Sequence, residues 1–60
     1  MAQVWFWSKY AHDYVTRDVR NVQAAKREAR SWGANRFKYQ SRNGQREFSR
    51  AHWSCPWQEV

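Results

Sequence analysis

Between Ser8 and Trp32 the chain reads SKYAHDYVTRDVRNVQAAKREARSW. Trp7, Ala11, Tyr14, Val15, Val19, Val22, Ala25, Ala29 and Trp32 recur mostly three or four residues apart. This spacing returns them to one side of a helix turning about 100° per residue. The spacing predicts one long amphipathic helix over this stretch with a continuous apolar stripe. Lys9, Arg20, Arg27, Lys26 and Arg30 fall to one side of the stripe and Arg17 lies almost opposite it, so the same helix carries a cationic face. Ordinary solvated side chains on a favourable helix would give the same pattern. Gly33 supplies a stop signal, because it takes a left-handed C-cap conformation without steric cost, and Lys26, Arg27 and Arg30 sit where cations meet the negative end of the helix dipole. Ser8 is the candidate start, without the acid three residues on that would complete a capping box.

Beyond Gly33 the period changes. Phe37 and Tyr39 alternate with Arg36, Lys38 and Gln40, and Asn43-Gly44 then interrupts, which predicts a β-hairpin. With Asn43-Gly44 as the central turn residues, Tyr39 faces Phe48, Phe37 faces Arg50 and Gln40 faces Glu47. A second helix over 45–53 competes with this reading. Val4, Trp5, Phe6 and Trp7 suit a third strand. The expected fold is therefore α+β, one long amphipathic helix packed on an antiparallel hairpin or three-stranded sheet, with an all-α helical hairpin as the rival. Asp18 falls within the apolar arc of the long helix, which suggests an internal bridge to Arg46 or Arg50. Asp13 and Arg17, four apart, read as a helix pair.

A chain of 60 residues makes a single small domain with a thin stability margin, in which residues 53–60 form a candidate docking tail. Five tryptophans, three phenylalanines and three tyrosines are many for this length, and at least one indole is expected to reach an interface. Cys55 is the only cysteine, so no intrachain disulfide forms and a reducing, cytoplasmic setting is the expectation. No apolar run approaches a signal core or a bilayer span, and the Ala- and Val-rich stripe is a weak interfacial anchor; membrane association is not expected.

No constellation of catalytic residues emerges, and a non-enzymatic role without cofactor is expected. His12 and Asp13 would project about 100° apart on a helix. His52 and Cys55 supply two ligands where a closed zinc site takes four. Gly33 and Gly44 are explained by chain reversal rather than by a phosphate loop. The formal charge of +6, rich in arginine, attracts nucleic acid, anionic membrane or an acidic protein surface. The alternation Arg36-Phe37-Lys38-Tyr39, followed by Arg42, Arg46 and Arg50, combines cations for phosphate with aromatics for base stacking. RNA or another single strand is therefore the favoured partner. Arg20, Arg27 and Arg30 on the helix would add phosphate contacts. The competing reading is a protein-binding accessory subunit or inhibitor that anchors Trp53 and Trp57 in a partner's groove, alone, as a homodimer or within a larger complex.

Overall fold

The computed structural model describes residues 2–60. It has β1 (Ala2–Ser8), β2 (Asp13–Val19), α1 (Val22–Ser31), β3 (Arg36–Ser41), β4 (Gly44–Ser49) and β5 (Gln58–Glu59), and the strands form one antiparallel sheet in the order β2-β1-β3-β4-β5. The single helix lies on one face of this sheet, packed against β1, β2 and β3.

The expected long helix is corrected at its first half, and both it and the all-helical rival give way to a predominantly β fold. Residues 13–19 are a strand paired with β1, from Ser8 opposite Asp13 to Ala2 opposite Val19. A spacing of four, as between Val15 and Val19, fits a strand as well as a helix, because four is also a multiple of two. The β-branched Val15, Thr16 and Val19 then tip the balance toward strand. Asp18 consequently points to the opposite face from Val19. It is exposed and forms none of the ion pairs among the described residues, so the internal bridge is absent. Asp13 and Arg17 are strand residues rather than a helix pair; Arg17 instead approaches Glu28 of α1 at 3.9 Å and lies 5.1 Å from the Trp32 ring centre. The segment after β1 is a tight reversal in which the His12 amide donates to the Ser8 carbonyl, with His12 at φ 54°.

The helix begins at Asn21, an extended residue whose side-chain oxygen accepts from the Ala24 amide, the geometry of an N-cap. Its end meets the expectation for Gly33. With Gly33 at φ 73°, its amide donates to Arg30 O and that of Ala34 to Ala29 O, the paired bonds of a Schellman motif. Ser8 does not start the helix but clamps its end. Fully buried, its Oγ donates to the Trp32 carbonyl at 2.8 Å and accepts from the Ala11 amide at 3.0 Å.

Strand alternation builds the core. Ala2, Val4 and Phe6 of β1, Val15 and Val19 of β2, Phe37 and Tyr39 of β3 and Phe48 of β4 all face α1. The helix meets them with Ala25 and Ala29, both fully buried. Methyl side chains let the helix axis approach the sheet closely, and this keeps so short a chain densely packed. The β3–β4 hairpin is present, with its register two residues from the expected one. Arg42 and Asn43 lie between the Ser41–Gly44 pair, Phe37 faces Phe48 and Tyr39 faces Arg46. A two-residue shift leaves every side chain on its expected face. Residues 45–49 are therefore strand, not the competing second helix.

The tail returns to the sheet. β5 pairs with β4, placing Gln58 opposite Ser49 and Glu59 opposite Phe48. Glu59 receives both Nε and Nη2 of Arg46, at 2.9 and 2.8 Å. This fork, ahead of any other influence, holds the Glu59 carboxyl below its usual range and keeps Arg46 more firmly protonated. A carboxyl depressed in the folded state contributes stability above its unfolded pKa and loses it as pH falls through the folded value. Acidification below the ordinary glutamate range should therefore release β5 before the rest of the sheet. Amide exchange at Val60, whose N–H donates to Glu47 O, should accelerate there, and Glu59→Gln should abolish that pH dependence.

Candidate nucleic-acid interface

The helix covers one face of the sheet and leaves the other open. Residues that alternate with the core stand on this open face: Trp5 and Trp7 of β1, Tyr14, Thr16 and Asp18 of β2, Arg36 and Lys38 of β3, and Glu47 and Ser49 of β4. Trp7 lies beside Tyr14, with ring centres 5.1 Å apart in an edge-to-face arrangement. Trp5 is flanked by Thr16 on one side and Lys38 on the other. Trp7 is 48% and Tyr14 69% exposed, so the long-helix expectation that both are buried in one stripe is corrected. Together with Lys9 and Arg36 these side chains line an open groove of about 700 Å³. The aromatics and Lys9 occupy its β1–β2 side, and Arg36 and Lys38 its β3 side.

Glu47 is the acid in this groove, and Arg36 engages it through Nε and Nη2. Lys38, opposite Glu47 on one side of the ladder and Trp5 on the other, forms none of the ion pairs among the described residues. The groove thus combines broad apolar rings with an available cation on a rigid sheet.

The eight cations expected to bind nucleic acid do not form one surface. Arg36 and Lys38 stand on the open face. Arg20, in the connection before α1, and Arg27 and Arg30 on the outer side of the helix are exposed on the opposite layer. Arg42 lies in the hairpin turn. Arg46 is engaged by Glu59 and lies 5.0 Å from the Phe48 ring centre. Arg50 donates Nε to Asn35 Oδ1 and Nη2 to Ala34 O, and its Cζ is 4.3 Å from the Trp57 ring centre. The expected stacking aromatics Phe37 and Tyr39 are core residues instead. Trp5, Trp7 and Tyr14 are the aromatics that stand on the open face. Their signal was the Val4–Trp7 run, apolar in both parities of the strand alternation, which a sheet covered on one side cannot bury completely.

The two tail anchors part company. Trp57 is half-buried and packs edge-on against Phe37 at 4.9 Å, against the chain's own core, whereas Trp53 is 63% exposed. His52 and Cys55 are not joined by further ligands; among the described residues no cluster of three or more His, Cys, Asp or Glu could hold a metal ion. Nor is any helix long and apolar enough to cross a membrane among those residues.

No protein family matches the chain, and no match to it was found among curated proteins or solved structures.

Proposed function

We propose that this protein is a small non-enzymatic binder of single-stranded nucleic acid, with RNA the favoured form, and that the open sheet face is its platform. The observation that carries this reading is the placement of Trp5, Trp7 and Tyr14 on adjacent strands beside Lys38 and Arg36, with no helix over them. Successive side chains on one strand face stand about 6.6–6.8 Å apart, and bases of an extended strand can follow that spacing. Phosphates then fall toward β3, where Lys38 forms none of the ion pairs among the described residues. Arg36 reaches them by exchanging its bond to Glu47.

A duplex keeps its base faces stacked and hidden, so it cannot use such a platform. Single-stranded RNA should bind about tenfold or more tightly than a duplex of equal length, since each stacked base contributes about 1–3 kcal/mol. Neutralising about three phosphates through Lys9, Arg36 and Lys38 should give a slope near −2 in log K against log salt. Fluorescence anisotropy over 50–200 mM salt measures both quantities. Equal affinity for duplex, or an unchanged slope in Lys38→Gln, would overturn the reading.

The alternative, docking on another protein, rests on the exposed Trp53. Such a complex would depend on Trp53 and vary little with salt.

A further inference from the structure

Beyond the end of the groove, between the reversal after β1, the C-terminal end of α1 and the start of the tail, lies a second cavity of about 210 Å³. Three cations from separate elements line it: Lys9 after β1, Arg30 in the last turn of α1 and Arg50 after β4. No carboxylate does. Two of the chain's most exposed aromatics, Tyr10 at 74% and Trp53 at 63%, contribute walls. The Tyr10 ring lies so close to Gly33 that a methyl group there would come within 3.0 Å of it. Gly33 thus serves both the helix cap and the seating of this ring. The cavity shares Lys9, Gly33, Asn35 and Arg50 with the groove on the open face, so the two adjoin.

Arg50 is already oriented. Its Nε and Nη2 are held by Asn35 and the Ala34 carbonyl and its plane lies against Trp57, while none of the hydrogen bonds among the described residues uses its Nη1. Burial first, and then the charge of Arg30, make its guanidinium easier to deprotonate than usual. The negative end of the helix dipole accounts for Arg30 alone. It does not account for Lys9 and Arg50 lining the same cavity.

We propose that this cavity is a phosphate-monoester pocket that receives the terminal phosphate of a strand lying on the sheet face, an inference that rests on the platform reading for the rest of the strand. A monoester carries about −1.5 to −2 charge at neutral pH and three strong acceptor oxygens, which suits three converging cations better than the single charge of an internal diester. Tyr10 and Trp53 flank the adjoining base. The same chemistry admits free phosphate as a second source.

The test compares internally labelled octanucleotides bearing hydroxyl ends, a 5′-phosphate or a 3′-phosphate. One phosphorylated strand should bind about tenfold more tightly than the hydroxyl-ended one, as charge-assisted bonds to a new dianion imply. The variant carrying Lys9→Gln and Arg30→Gln, both at exposed positions, should lose that ratio. Trp5→Ala should weaken all three strands by one common factor. Equal binding of the three strands would overturn the pocket and leave the platform intact. If no strand binds, titration with inorganic phosphate and a nucleoside monophosphate, followed by NMR, separates the two ideas. Shifts at Tyr10, Arg30 and Trp53 would support a monoester pocket fed by free phosphate while the platform fails; their absence would overturn both.

Discussion

Replacing Trp5 and Trp7 together with alanine is expected to lower affinity for single-stranded RNA by about a hundredfold or more, because stacking contributes about 1–3 kcal/mol for each base lost. The cations of β3 are untouched by this change. The salt dependence of the residual binding should therefore keep its slope, and that distinguishes lost stacking from lost phosphate contact. Trp7 is nearly half exposed and touches Tyr14 rather than the core, so its removal should leave the far-UV circular dichroism and cooperative unfolding in place. Parallel anisotropy titrations and thermal melts check both points. Undiminished affinity in a folded double variant would remove the platform.

A second large effect is expected at Phe37. Its side chain is 1% exposed, stacked on Phe48 at 5.1 Å and covered edge-on by Trp57. Phe37→Ala removes a contact shared by β3, β4 and the returning tail, and such truncations cost about 3–5 kcal/mol. A domain of this length holds roughly 3–9 kcal/mol in total. The variant should therefore lose between about a third and all of its stability, with its urea midpoint lowered by at least about a third of the wild-type value. Retention of the wild-type midpoint would mean that Trp57 and Phe48 do not form the closed cluster described above.

The contrast between these two sites shows what the linear chain discloses. Val22, Ala25, Ala29 and Trp32 repeat at helical spacing and do face the sheet. Val15 and Val19 satisfy both periods at once, and only β-branching and the cap at Asn21 separate strand from helix there. In the hairpin, alternation of Phe37 and Tyr39 was sufficient to assign faces, whereas the turn residues misplaced the register by two. The candidate site was harder to read. Exposed and buried aromatics look alike in sequence, and assigning Trp5 and Trp7 to the open face required knowing that a single ten-residue helix covers only the other. Convergence of Lys9, Arg30 and Arg50 depends on three chain reversals and has no local signature.

The indoles are apportioned between environments in a way that gives the molecule two built-in optical reporters. Trp7 and Trp53 meet solvent, whereas Trp57 is half-buried between Phe37 and the Arg50 guanidinium. Emission from the first pair registers what arrives at the surface, and emission from Trp57 registers whether the closing strand is seated. A Trp57→Phe variant keeps the indoles of the open face and removes the signal of the tail, so its difference from the parent protein separates tail release from ligand capture without an attached dye.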